Sequence, residues 1–247
     1  MHPMLLLLSA LLGGGPTPAR LDRPAVERRL VFDQRPGRSL QGVLLAPGET
    51  TPPLSGYDLL EVDAQGSRKL ADHVGAALWT GDGAVLLVRK GVLMELRAGH
   101  TRTLAQGLEP DLAIDPAGRA VAVVRREGPT RTIIELLDRR DGALLRRLVA
   151  GEGVNNAPLF TPDGKALLFV SSRTGLSSLF RVGVDGQGER QLTNGGKTAV
   201  DQAYVPPPER TLERRFDAGL LHFQSGLDRW QLDPATGSAR RLEGGAP

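Results

Sequence analysis

Asn155-Asn-Ala-Pro-Leu-Phe-Thr-Pro-Asp-Gly-Lys-Ala-Leu-Leu-Phe-Val-Ser-Ser172 reads as two short apolar runs separated by a tight turn. Within Thr161-Pro162-Asp163-Gly164 the proline presets φ, the aspartate can bond back to the backbone and the glycine supplies a positive φ, so the segment is a hairpin. Outward from it come a second turn at Arg173-Thr174-Gly175, a third run at Ser178-Leu179-Phe180-Arg181-Val182, a third turn at Asp185-Gly186 and a closing run at Glu189-Arg190-Gln191-Leu192-Thr193. Four strands joined in sequence by tight connections form an antiparallel meander, the unit of one propeller blade.

One such unit cannot hide both of its faces, so neighbours built alike are expected. A polar residue followed by leucine closes the unit at Lys69-Leu70, Thr103-Leu104, Arg147-Leu148, Gln191-Leu192 and Arg241-Leu242. The first turn recurs at Arg35-Pro36-Gly37, Gly81-Asp82-Gly83 and Pro116-Ala117-Gly118, ahead of the apolar runs Val43–Leu45, Val85–Val88 and Val121–Val124. In the last unit the turn is replaced by a longer loop after Tyr204-Val205-Pro206-Pro207-Pro208, and the second strand starts at Leu220. The expectation is an all-β chain, a small β-propeller of about five four-stranded blades over residues 30–247, with a linker at 20–29.

The segment Pro158 to Ser172, with Val184-Asp185-Gly186 and Arg190-Gln191-Leu192-Thr193, resembles the repeat of TolB-type propeller proteins. The fourth unit is the closest to that pattern, the second and third share its turn glycine and leucine ending, and the first and last share it loosely. The resemblance implies innermost strands lining a central channel and a protein-binding role in the bacterial envelope. It is one of architecture: five repeats stand where TolB itself is expected to have six, and no room is left for its separate N-terminal α/β domain.

Composition agrees with a turn-rich chain. Of 247 residues 31 are glycine and 18 proline, and aromatics are only 4%, so Leu, Val and Ala must fill the core. There is no cysteine, which removes disulfides, thiolate metal sites and thiol nucleophiles. The net charge is +3 and the arginines alternate with acids, as in Arg139-Arg140-Asp141, so no nucleic-acid partner is expected. Met4 to Leu12 is an apolar run of export-signal length followed by Thr17-Pro18-Ala19. Residues 1–19 are accordingly read as a signal peptide, too short to span a bilayer, which places the chain in the periplasm or outside the cell.

Chemistry-bearing residues are sparse. His2, His73, His100 and His222 show no metal-ligand spacing, and no Gly-x-Ser-x-Gly elbow occurs. No catalytic residue, metal or cofactor is therefore predicted. Asp63, Asp82, Asp163, Asp185 and Asp233 fall at turns and read as turn formers. The pairs Arg28-Arg29, Arg125-Arg126, Arg139-Arg140 and Arg146-Arg147 read as solvated faces and hairpin tips. Trp79 reads as core; for Trp230, exposure at an interface is the alternative to core packing.

Asp111, Asn155, Asn156, Asp201 and Gln202 open innermost strands. A ring of such groups at a channel mouth can coordinate a cation, hydrogen-bond a sugar or receive the basic and amide groups of a peptide; the competing reading is that they cap strand ends. The function expected from the sequence is a noncatalytic exported propeller that binds a protein or peptide of the bacterial envelope. The alternative is a carbohydrate-binding or glycoside-hydrolase-like five-bladed propeller.

Overall fold

The turn that decides the fold closes as its residues dictate. In a computed structural model describing residues 26–46, 56–175, 177–193, 215–225 and 228–242, Thr161 N donates to Ala166 O (2.9 Å) and Gly164 N to Thr161 O (2.8 Å). Asp163 Oδ1 accepts from Thr161 Oγ1 (2.6 Å) and Lys165 N (3.0 Å). The same backbone pattern recurs at Thr80–Ala84 and Asp115–Ala120, with Gly83, Gly118 and Gly164 at φ of 85°, 71° and 68°.

The strands these turns join are β1 Val26–Arg35, β2 Arg38–Ala46, β3 Tyr57–Asp63, β4 Gly66–Trp79, β5 Val85–Arg89, β6 Val92–Arg97, β7 His100–Gln106, β8 Leu108–Ile114, β9 Ala120–Gly128 and β10 Arg131–Asp138. They continue with β11 Leu144–Val149, β12 Asn155–Phe160, β13 Ala166–Ser171, β14 Ser178–Gly183, β15 Arg190–Gln191, β16 Arg215–Asp217, β17 Leu220–Ser225, β18 Asp228–Leu232 and β19 Ala239–Leu242. All pairings are antiparallel between sequence neighbours. They give sheets β8–β11, β12–β15 and β16–β19 of four strands each and one sheet, β1–β7, of seven.

The seven-stranded sheet arises from β4, which is 14 residues long. Its first half pairs with β3, its second with β5, and Val74 pairs with both Tyr57 and Arg89. No proline or tight turn interrupts Ala71 to Ala77, so the strand runs on through a bend at His73, which adopts φ 55°. β1 begins at Val26, inside the stretch read as a linker, whereas residues 1–19 lie outside the described residues.

In β5, β9 and β13, the second strands of the central units, the apolar run is continuous because both faces are covered. In β13, Leu167 and Phe169 face a core shared with β8–β11, while Leu168 and Val170 face one shared with β17 and β18. β9 divides likewise: Val121 and Val123 turn toward β5–β7, Ala122 and Val124 toward β12–β14. A fourth core, around Leu40, Leu59, Val74 and Trp79, lies within the folded seven-stranded sheet. Four cores thus run in series, each between units adjacent in sequence. Phe169, fully buried and stacked on Phe180 with centroids 5.6 Å apart, anchors the largest of them. Its truncation to alanine would cost about 3–5 kcal/mol. Trp230 is also core, only 7% exposed, because it stands opposite Phe223 on the sheet face that packs against β13 and β14.

The strands that open the units lie side by side: β1 packs beside β4, β4 beside β8, and β8 beside β12. Of these strands β8 carries Asp111, and β12 carries Asn155 and Asn156.

Candidate functional site

Asn155 is fully buried at the start of β12, and every hydrogen-bonding capacity of its side chain is used. Nδ2 donates to Thr132 O (2.6 Å) and Gly153 O (3.1 Å), while Oδ1 accepts from Ser171 Oγ (2.8 Å) and Arg173 Nη2 (2.9 Å). Its backbone is tied in too, N donating to Thr132 Oγ1 (2.7 Å) and O accepting from that hydroxyl (2.6 Å). Asn155 therefore stitches β12 to β10 of the preceding sheet. Arg173 extends the network over the rings of Phe169 and Phe180, 5.4 and 5.0 Å from their centroids, and pairs with Glu189. Asn156 is half-buried on the opposite face of β12. Asp111, 8% exposed, sits on β8 in the irregular stretch between Leu108 and Leu112, where the ladder to β9 is interrupted. The structure thus brings Asp111 and the two asparagines onto adjacent strands; Asp201 and Gln202 lie outside the described residues.

Two carboxylates that the sequence reading passed over are nearly buried in third strands, Glu95 on β6 and Glu135 on β10, 6% and 3% exposed. An isolated buried charge is too costly to persist, and both are met by arginines. Glu95 accepts from Arg102 (2.8 Å), Arg139 (3.0 Å) and Arg97 (3.3 Å), and Arg139 and Arg97 also hold Asp82. Burial opposes the Glu95 charge, but the hydrogen bonds from Arg102 and Arg139 outweigh it and hold the carboxyl below its usual range. Hydrogen bonds from Thr80 and Arg139 hold Asp82 well below that range. Glu135 pairs with Arg125 (2.9 Å) and Arg147 (3.4 Å).

Of the pair Arg139-Arg140, one member therefore crosses to the neighbouring sheet and the other remains in solvent, their side chains 11% and 86% exposed. The sequence signal was a glutamate inside an otherwise apolar strand, Leu93-Met94-Glu95-Leu96 and Ile133-Ile134-Glu135-Leu136, which calls for cations beside it; Glu135 finds both in its own sheet, whereas Glu95 also draws Arg139 from the next. The turn aspartates do bond locally: Asp63 to Gln65 N and Gly66 N, Asp185 to Gln187 N, and Asp233 to Ala235 N and Thr236 Oγ1.

A groove of about 300 Å³ opens where the bend of β4 passes the face of β5–β7. Leu70, Ala71, Leu87, Met94 and Leu96 form its floor, and Lys69, Asp72, Arg89 and Thr101 its rim. The rim charges neutralise one another: Lys69 Nζ donates to Asp58 (2.7 Å), and Arg89 pairs with the Asp72 carboxylate while its Nε donates to Asp72 O (3.0 Å). No serine, histidine or cysteine lines it. The groove can take an apolar side chain on its adaptable methionine and leucine floor and fix it through exposed polar rim groups.

The described histidines stand apart, His73 at the β4 bend beside Asp72, His100 at the start of β7 and His222 against Gln231 at 3.0 Å. Among the described residues no group of three His, Cys, Asp or Glu side chains could hold a metal ion, and no helix is long and apolar enough to cross a membrane.

No protein-family model matches the chain. It is 43% identical to an uncharacterized protein of Agrobacterium fabrum over 88 residues, which are 36% of this chain and 30% of that protein. Over 45 residues, 18% of this chain and 10% of the other, it is 38% identical to the Tol-Pal system protein TolB of Bordetella pertussis. Among solved structures, TolB from Acinetobacter baumannii aligns with a TM-score of 0.61 at 20% identity, over 83% of this chain and 52% of that one. A TolB candidate from Agrobacterium tumefaciens gives 0.61 at 19% identity, over 87% and 80%. The chain thus spans 30% or less of the curated relatives' length. Sheet order, recurring turn chemistry and these likenesses together give the chain a TolB-like β-propeller architecture.

Proposed function

We propose that this chain is a noncatalytic, exported five-bladed propeller that binds a protein or peptide of the bacterial envelope. The observation that carries the reading is the groove between the bend of β4 and the face of β5–β7: an apolar floor, rim charges of Lys69, Asp72 and Arg89 that are held in ion pairs, and no serine, histidine or cysteine in its lining. Propellers as a class serve enzymes and binding modules alike, so the site and not the fold has to support the choice. Buried Glu95 and Glu135 are each committed to two or more guanidinium groups and are poor candidates for acid–base work.

Five blades follow if β4 serves twice, as the last strand of β1–β4 and the first of β4–β7, beside the three four-stranded sheets. The TolB likeness and the apolar N-terminal run support an envelope location. The test is a photoreactive residue at Thr101, on the groove rim, in cells expressing the full chain. One discrete crosslinked partner, lost when Leu96 on the floor is changed to arginine, is the expected result. Absence of any crosslink together with turnover of a small substrate by the purified chain would refute the reading.

A further inference from the structure

From the outer edge of β11 we infer a second interaction surface, one that receives a short extended segment of another protein in which apolar and acidic residues alternate. β11 is the terminal strand of its sheet, with β10 on one side only, so one row of its backbone N–H and C=O groups is unpaired by the ladder. The same strand carries Leu144 and Leu145, which at 53% and 54% exposure are the exposed large hydrophobic residues among the described ones. Free edge and uncovered side chains coincide at Leu144 and Leu145.

The cause is local. The register to β10 shifts between Ile134 and Glu135 and again between Leu136 and Leu137, so the chain gains residues that the partner strand does not match. Leu148 and Val149 turn into the core shared with β12–β14, whereas Leu144 and Leu145 stay outside. Two irregularities in so short a strand also twist its edge, which limits any added strand to a few residues.

Charge selects the occupant. Arg146, exposed, makes no ion pair among the described residues, whereas Arg140 is paired with Asp138 at 2.7 Å and Arg147 reaches back to Glu127 and Glu135. A second copy docking edge to edge would set these arginines against their own images, so self-pairing is opposed. A strand with leucine-like residues toward Leu144 and Leu145 and a carboxylate toward Arg146 meets both needs, with main-chain hydrogen bonds supplying the rest. This surface is separate from the groove, and the experiment keeps the two apart.

The probe is a labelled synthetic octapeptide of alternating leucine and glutamate, titrated with the full chain and followed by fluorescence anisotropy, beside leucine–lysine and glycine–glutamate versions. The leucine–glutamate peptide should bind, lose at least tenfold in affinity between 50 and 300 mM salt, and slow hydrogen exchange of the amides at 144–147. Leu144→Ser with Leu145→Ser, and separately Arg146→Glu, should each weaken it at least tenfold; all three side chains are exposed, so the fold is kept. Leu96→Arg in the groove should leave it unchanged, whatever becomes of the groove's own partner. Failure of the peptide to bind, equal binding of the lysine version, or self-association of the chain that the double serine variant abolishes would each overturn the inference.

Discussion

Replacing Asn155 by alanine should unfold this protein more readily, by about 3 kcal/mol. Thr132 O and Gly153 O would lose their amide donor, at 2.6 and 3.1 Å, and Ser171 Oγ and Arg173 would lose their shared acceptor. Each buried group left unsatisfied costs roughly 1–3 kcal/mol. The effects are unequal: Gly153 O still receives Thr132 N, and Arg173 keeps Glu189 and its two phenylalanine rings, so Thr132 O and Ser171 dominate. At this chain length such a loss lowers the melting temperature by roughly 6–12 °C. Asn155→Asp sharpens the test, since it keeps the acceptor toward Arg173 but sets a carboxylate against Thr132 O, and should be more harmful at neutral than at mildly acidic pH. Urea unfolding followed through the buried tryptophans Trp79 and Trp230 reads both variants. If Asn155→Ala shifts stability by less than about 1 kcal/mol, within the range of ordinary surface substitutions, the argument that this amide joins two sheets is wrong.

Gly142 has φ 77°, and a Cβ there would stand 1.9 Å from Leu104 O, whereas Gly37, at φ 75°, has open space around it. Gly142→Ala should therefore cost well over 2 kcal/mol and Gly37→Ala only about 1 kcal/mol, the part due to backbone conformation alone; equal effects in thermal melts would contradict the packing described. Asp82, Glu95, Asp163 and Asp233 all have carboxyl groups held below their ordinary range, so each binds its proton more weakly folded than unfolded. Their stabilisation is present above about pH 5 and declines as pH falls through the ordinary carboxylate range near pH 4. Asp33, raised by burial, works in the opposite sense and favours the folded state at the acidic end. The urea midpoint should fall on acidification, and Asp82→Asn should flatten that slope; an unchanged slope would remove Asp82 from the account. Arg139→Ala should destabilise more than Arg140→Ala, which is expected to stay within about 0.5 kcal/mol, because only the former reaches the buried Glu95.

Much of the architecture was open to reading because it is written locally. Thr161-Pro162-Asp163-Gly164 specifies its turn through partners at most five residues apart, and an apolar run such as Leu167-Leu168-Phe169-Val170 reveals burial on both faces. What joins one unit to the next was not legible in the same way. The partners of Glu95 lie up to 44 residues away in Arg139, and strand alternation alone does not say which arginine of a pair crosses over. The continuity of β4 was hidden for a different reason: Lys69-Leu70 carries the closing signature, yet nothing after it forces a break, and His73 absorbs the bend. Asn155 was singled out by its position at the start of a strand; that its amide is saturated follows from Thr132 and Ser171 converging on it, which no spacing in the sequence displays.

The four cores in series have an evolutionary corollary. Since each seam is sealed by residues of two units consecutive in the chain, removing or duplicating one unit by recombination would rewrite a single seam and leave the others chemically intact. Gene length could thus drift in whole modules, with the curvature of the assembly adjusting to the new number, and selection would have only the newly abutting faces to refine.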